Sequence, residues 1–183
     1  MNDKDVLNTH IKLIKERQNR ILYTYKTHEK AADRAESYEK WRKRFTILFT
    51  AIGATTFVAS VVGMLGSVQL TNLVVSFIAL LATALSLIGD IFDFKEEARQ
   101  HTIAGVKLRE IFQAYESLHI DLSTGNITLE ECRFQRDLLA EKEALLLTEL
   151  PRTTRRDYVK ADNALSGDEK IDSCSDPMMR KEV

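Results

Sequence analysis

Residues 45–89 contain no Asp, Glu, Lys, Arg or His, in a chain of 183 residues of which 29% are charged. A helix needs roughly 20 residues to cross the hydrocarbon core of a bilayer, so this stretch is long enough for two crossings and a turn. Its most polar window, 66–72, predicts the turn, with spans at 45–65 and 73–89. A soluble hairpin would need a large partner surface to cover helices that are apolar nearly all round. The sequence therefore predicts an integral membrane protein.

The residues that flank the two spans predict their orientation. Basic residues near the ends of spans favour the cytoplasm, and the loop 66–72 has none. Lys95 and Arg99 follow the second span, and Tyr38 lies where an interfacial aromatic belt is expected. We therefore expect a multi-pass protein of the inner membrane with both termini in the cytoplasm. The topology anchors before the first span are Lys40, Trp41, Arg42, Lys43 and Arg44.

The segment 1–44 predicts a long basic amphipathic helix, because residues 5–44 include no Gly or Pro and are rich in Lys, Arg, Glu and Ala. Residues spaced alternately by four and three form a narrow seam suited to helix–helix packing. We expect this seam to contribute to a homo-oligomer, although Gln18 and His28 interrupt it. Its members are Leu7, Ile11, Ile14, Gln18, Ile21, Tyr25, His28, Ala32 and Ala35.

The segment 90–165 predicts a cytoplasmic helical hairpin. Its first helix should run on from the second span and end at 123–126. Thr128, with Glu131 three residues later, predicts a capping box for the next helix, which should stop before Pro151. Residues 166–183 are polar and predict a disordered tail. The predicted fold class is all-α: a two-helix transmembrane hairpin flanked by long N-terminal and C-terminal cytoplasmic helices.

Small and polar residues recur along one face of each span. In lipid, such stripes allow close helix packing, and we expect packing for the first stripe. The second stripe runs into two carboxylates, which are costly at a membrane boundary unless they meet water or a partner. A ring of such carboxylates would favour cations, so pore lining and helix packing both remain open for this stripe. The first stripe is Thr46, Thr50, Gly53, Thr56, Ser60 and Gly63; the second is Asn72, Ser76, Ala79, Thr83, Ser86, Asp90 and Asp93.

The sequence carries no motif for catalysis. It has no Gly-rich phosphate loop, no HExxH, no GxSxG and no cluster with metal-ligand spacing. The four histidines, His10, His28, His101 and His119, are scattered, and we interpret each as a helix-surface or seam residue. The basic run 40–44 adjoins a span, so anionic lipid explains it better than nucleic acid does. We expect a protein that is not an enzyme, with no cofactor, no metal and no direct nucleic-acid binding.

The order of these parts resembles the SLATT family of two-transmembrane effector domains. The resemblance covers about residues 5–165 and lies in a basic helix ending in WRKRF, the charge-free hairpin, and the segments IFDFKEEARQH, LREIFQAYESLHIDLSTGNITLEECRFQRDLLAEKEALL and RRDYVKADNAL. It implies a membrane-perturbing or pore-forming effector in bacterial antiphage defence. It also implies a nucleotide-signalling enzyme, a sensor or a reverse transcriptase encoded nearby as the partner.

Two functions follow from the sequence. One is an oligomeric membrane effector that permeabilises the inner membrane after a separate signal. The other is a non-enzymatic anchor or scaffold that tethers a cytoplasmic partner. The first needs several copies, because two helices cannot enclose a passage.

Overall fold

The computed structural model describes residues 3–54, 60–61, 63–64, 66 and 68–167, and this part of the chain is helical, without a strand. We number the helices α1 (Asp3–Ala54), α2 (Val68–Ile91), α3 (Phe94–Thr124), α4 (Leu129–Glu149) and α5 (Arg155–Ser166). The all-α class is confirmed. Much of the first predicted span and the predicted tail from residue 168 onward lie outside the described residues.

The chain forms two compact units. One consists of Met1–Ala31 with Gln100–Val183, and the other is Ala32–Arg99. We call the first the cytoplasmic unit and the second the hairpin unit, after the location and the arrangement expected from the sequence. The predicted helix at 1–44 is the first part of α1 and supplies residues to both.

The seam of α1 is buried inside the chain itself. In the cytoplasmic unit Ile14 is 0% exposed and Ile21 is 1% exposed, and both pack with Leu108 and Tyr115 of α3 in one apolar core. Each fully buried aliphatic side chain of this kind contributes about 1.5–3 kcal/mol. Helix–helix packing of the seam is confirmed, but its partner is the rest of the chain. The seam therefore gives no evidence for contact between copies.

The ends of α3 and α4 follow the sequence signals. α3 ends at Thr124, and Gly125 adopts φ 73°, a left-handed conformation that glycine adopts without a steric penalty. Thr128 Oγ1 accepts a hydrogen bond from Glu131 N at 3.2 Å at the start of α4. α4 ends at Glu149, two residues before Pro151. The predicted break, helix start and stop are confirmed, whereas of the predicted capping box the structure gives only the bond that Thr128 accepts.

Two boundaries in the hairpin unit differ from the prediction. Residues 68–72, expected in the turn, are the first residues of α2, because no Gly or Pro after Gly66 prevents a helix there. The helix expected to run on from the second span is instead interrupted at Phe92 and Asp93. Asp93 Oδ1 accepts a hydrogen bond from Glu96 N at 2.9 Å and so caps a new helix, α3.

One helical segment in the described part of the chain is long and apolar enough to cross a membrane. It begins at Val68, its most apolar window has a mean hydropathy of 2.2, and none of that window is buried. Isolated from lipid or a partner, such a surface would be exposed to water at a large free-energy cost.

Candidate functional site

One side of α2 is half-buried, and we call it the contact row. Its two ends show what it faces. A Cβ placed on Gly63 would lie 3.9 Å from Thr71 Oγ1, and one placed on Gly89 would collide with the guanidinium of Arg42. The row therefore lies against the helical segments that precede α2. Its members are Thr71, Val74, Val75, Ile78, Leu81, Ala82, Leu85 and Gly89.

The predicted polar stripe of α2 is a different side of the helix. Its members within the helix, Asn72, Ser76, Ala79, Thr83 and Ser86, are all exposed. At roughly 100° of rotation per residue, they lie about a third of a turn from the contact row. Against the described part of the chain, this stripe is therefore not the packing surface of α2. Exposed apolar residues, among them Leu73, Phe77, Leu80 and Leu87, cover the remaining side.

Of the two carboxylates at the end of this stripe, the structure describes the side chain of only one. The side chain of Asp90 lies outside the described residues. Asp93 is exposed, and its carboxylate accepts the hydrogen bond from Glu96 N that caps α3.

Within the stripe, the hydroxyl of Thr83 donates to the carbonyl of Ala79 at 2.9 Å, a bond that lets a hydroxyl face an apolar medium at low cost.

The first stripe is only partly described. Thr46 is half-buried and donates to the carbonyl of Arg42 at 2.9 Å, whereas Thr50 is exposed. Ser60 and Gly63 are exposed. The surroundings of Gly53 and the whole of Thr56 lie outside what the structure describes. Thr46 is on the side of α1 that is half-buried, which fits packing at that position.

Aromatic side chains gather where α1 and the start of α3 approach each other. The rings of Trp41 and Phe45 stack with centroids 5.6 Å apart, and Tyr38 meets Phe94 edge-on at 5.8 Å. Phe92 stacks on Phe94 at 5.8 Å. Trp41 is 55% exposed and Phe92 is 56% exposed, so the cluster presents amphipathic rings outward, as in an interfacial belt.

The basic anchors are balanced in part by carboxylates of the preceding turn. Lys40 pairs with Glu36 at 2.8 Å, and both Arg42 and Lys43 pair with Glu39, at 2.9 and 3.0 Å. Hydrogen bonds from Arg42, and then from Lys43, lower the pKa of Glu39 to about 2. These pairs fix the anchors on the surface of α1, immediately before the apolar stretch.

Arg44 lacks such a carboxylate contact among the described pairs and instead lies over the ring of Trp41, at 5.6 Å from the centroid. A cation over an indole face is attracted by the ring quadrupole. The last anchor before the span is thus joined to the aromatic cluster, and together they form a boundary between the charged and uncharged parts of α1.

The structure also shows a buried pair that the sequence did not predict. His28 on α1 and His101 on α3 are 3% and 1% exposed, with their Nδ1 atoms 2.9 Å apart. Burial, and then the charge of His101, lower the pKa of His28 to about 4, against a smaller opposite effect of Asp157. The ring of His28 is therefore neutral at neutral pH. In the described part of the chain no three metal-ligating side chains gather into a metal site.

A second buried polar group lies in the same unit. Glu143 is 4% exposed and accepts a hydrogen bond from the Tyr115 hydroxyl at 3.0 Å, with Arg17 at 3.5 Å. Burial, and then Glu143, raise the pKa of Tyr115 to about 12. For the histidines, the sequence shows that each lies on an apolar face but not that they pair: His28 is in the seam of α1, and His101 falls between Ala98 and Gly105 on the apolar face of α3.

A family model described as SMODS and SLOG-associating 2TM effector domain family 4 matches residues 11–176. No curated protein and no solved structure matches the chain. The matched range includes both the uncharged stretch and α3 to α5.

Proposed function

Because the chain belongs to the family of SMODS and SLOG-associating 2TM effector domains, we propose that it is an oligomeric membrane effector of bacterial antiphage defence. In this proposal a separate nucleotide-signalling partner encoded nearby activates the protein, which then permeabilises the inner membrane. Two spans with cytoplasmic termini, assembly of several copies and pore formation are all parts of the proposal, as is the absence of catalysis.

The exposed polar stripe of α2 is the observation that carries the proposal. A stripe that served only to pack the two helices of one chain would belong to the contact row, yet Asn72, Ser76 and Thr83 lie beside it. In a bilayer an exposed amide finds no water in the hydrocarbon core, and leaving it without a partner costs free energy. Assembly of several copies relieves this cost, either by packing the stripes together or by enclosing water.

The carboxylate at the end of the stripe favours an enclosed, hydrated passage. Asp93 caps α3 and so has a structural reason to stay at this position, and it is exposed. Repeated around an oligomer, it would form a ring of negative charge at the cytoplasmic mouth, with Asp90 one turn earlier. Such rings enrich cations locally.

The conductance of reconstituted protein tests this function. Replacing Asp90→Asn together with Asp93→Asn removes the charge, while Asn caps helices as well as Asp does, so α3 should keep its start. We expect a lower cation preference or conductance with unchanged expression and oligomer size. The matched control, Leu80→Ala with Leu87→Ala, changes exposed apolar residues of α2 and should alter conductance much less. Equal effects of the two pairs, or no current at all, would refute the passage.

Topology and assembly have their own tests. Reporter fusions at Met1 and Val183 should both report the cytoplasm, and opposite locations would remove the hairpin. A cysteine at Ser76 should cross-link copies in nanodiscs more readily than one at Leu80. If both positions fail to cross-link under activating conditions, the stripe does not face another copy.

A scaffold remains the second candidate, favoured by a feature of α4. Phe134, Leu138 and Leu145 are 71%, 44% and 63% exposed and recur along one side of that helix, which gives a partner an apolar surface. Overexpression separates the two functions. An effector that escapes control should depolarise cells, whereas a scaffold should be tolerated.

A further inference from the structure

Two arginines of α4 converge on one histidine of α1. Arg133 donates to His10 Nε2 from Nε at 3.2 Å, and its Nη2 lies 3.1 Å from the same nitrogen. The Nη1 atom of Arg136 lies 3.3 Å from His10 Nδ1, on the other side of the ring. Both ring nitrogens therefore face a guanidinium.

This arrangement cannot be satisfied by the three side chains alone. A neutral imidazole offers one acceptor nitrogen, because its other nitrogen carries a proton. If Nε2 accepts from Arg133, then Nδ1 carries the hydrogen and meets the N–H groups of Arg136 donor to donor. A protonated ring would accept from neither arginine. At least one of the two contacts is therefore an unfavourable approach of like groups.

The charge of this cluster is also only partly balanced. Asp137 accepts from Nε and Nη2 of Arg136, at 2.9 and 2.6 Å, which leaves Nη1 directed at His10. Arg133 forms no ion pair with a carboxylate in the described part of the chain. Burial, and then the charges of Arg133 and Arg136, lower the pKa of His10, against a smaller opposite effect of Asp137. The cluster thus lacks an acceptor and a negative charge at the same place.

We propose that His10, Arg133 and Arg136 form a binding site for a phosphate-type oxyanion. Such an anion would accept from both guanidiniums and from a protonated His10, and so would supply both the acceptor and the charge. A tetrahedral anion presents oxygens in several directions, which suits two guanidiniums that approach the imidazole ring from different sides. A planar carboxylate pairs with one guanidinium, as Asp137 already does with Arg136. The site does not depend on pore formation or on the number of spans.

Histidine resonances provide a direct measurement, because the chain has only four histidines. We would label them isotopically in the full chain, in nanodiscs of zwitterionic lipid, and follow each pKa while adding inorganic phosphate. Bound phosphate should raise the pKa of His10 in a saturable way, since a nearby negative charge favours the protonated ring. His119 should not respond, and chloride at matched ionic strength should not reproduce the effect.

Substitutions make the assignment specific. Arg133→Gln should weaken phosphate binding about tenfold or more, the loss expected for one charge-assisted contact. Arg109→Gln removes an exposed charge from α3 and should leave the affinity unchanged. Asp137→Asn should strengthen binding, because it removes a competing carboxylate. The unchanged spectra of the other histidines would show that each variant is folded.

Three titrations, with inorganic phosphate, with a nucleoside triphosphate and with anionic lipid, distinguish the possible sources of the phosphate group. Tighter binding of a nucleoside triphosphate than of inorganic phosphate would assign the site to a nucleotide. A response only in nanodiscs with phosphate-bearing anionic lipid would assign it to a headgroup. The site would be refuted if His10 responds to none of these, if chloride acts as phosphate does, or if Arg133→Gln and Arg109→Gln behave alike.

Discussion

Acidification should destabilise the cytoplasmic unit through one buried pair of rings. The pKa of His28 is lowered from 6.5 to about 4. The unfolded chain therefore binds a proton over a pH range in which the folded chain does not. The stability that comes from burying the neutral ring is complete above the unfolded pKa and is lost as the pH falls through this range toward the folded value.

The size of the effect follows from the two pKa values. Linkage between 6.5 and about 4 gives a loss of about 1.4 kcal/mol at pH 5.5 and about 2 kcal/mol at pH 5. Solvent screens this interaction little, because His28 is 3% exposed. For a chain of this length, about 2 kcal/mol corresponds to a shift of roughly 4–8 °C in the melting midpoint.

Thermal melts followed by circular dichroism would measure this effect in a non-ionic detergent, between about pH 7.5 and pH 5. His28→Gln removes the titrating ring and should give a midpoint that depends much less on pH, whatever its absolute stability. His119→Gln, on a half-buried surface position of α3, should keep the wild-type dependence. His101→Gln should flatten the dependence too, because it opens the contact that excludes solvent from His28.

The reasoning would be refuted if wild type and His28→Gln lost stability equally on acidification. It would also be refuted if His119→Gln flattened the curve as strongly as His28→Gln does. In either case other groups, such as carboxylates, would account for the acid sensitivity.

Three further predictions concern the helices of the cytoplasmic unit. Ile21→Asp would place a charge in the core at a cost of several kcal/mol and should abolish a cooperative melt of the monomer itself, rather than selectively dissociating copies. Gly125→Ala forces φ 73° on a residue with a Cβ and should cost about 1 kcal/mol, with Gly125→Asn nearer to wild type, measured by melting midpoints. Thr154→Ala removes the two bonds of the Thr154 hydroxyl, one donated to Asp157 Oδ2 and one accepted from Asp157 N, and should cost about 1 kcal/mol and speed hydrogen exchange in α5, whereas Thr153→Ala should do neither.

The local signals in the sequence predicted most of the helical structure. Gly125, Thr128 and Pro151 act through their own backbone or through a residue three positions away, so the ends of α3 and α4 could be placed without knowledge of the packing. The seam was also correctly identified as a packing surface. Its partner was not, because periodicity shows that a face is buried and does not show what buries it.

The features that could not be predicted from the sequence depend on contacts between residues that are far apart along the chain. His28 and His101 are separated by 73 positions and become a pair only when α1 and α3 pack together. The contact of His10 with Arg133 spans 123 positions. The distinction between the contact row and the polar stripe of α2 likewise needed the position of Gly89 against Arg42. The roles proposed for both stripes remain predictions.

The interruption at Phe92 and Asp93 has a consequence for how deeply the protein can sit in a bilayer. α2 has 24 residues, or about 36 Å at 1.5 Å per residue, against about 30 Å of hydrocarbon. A continuous helix could slide along the membrane normal to suit the lipid, but the carbonyls and the carboxylate at the break need water. The break would hold one end of α2 at the surface, so that changes in bilayer thickness must be met by tilt. Lipid chain length would then set the tilt of α2 and with it the orientation of the polar stripe. The proposed permeabilisation should therefore change with lipid chain length.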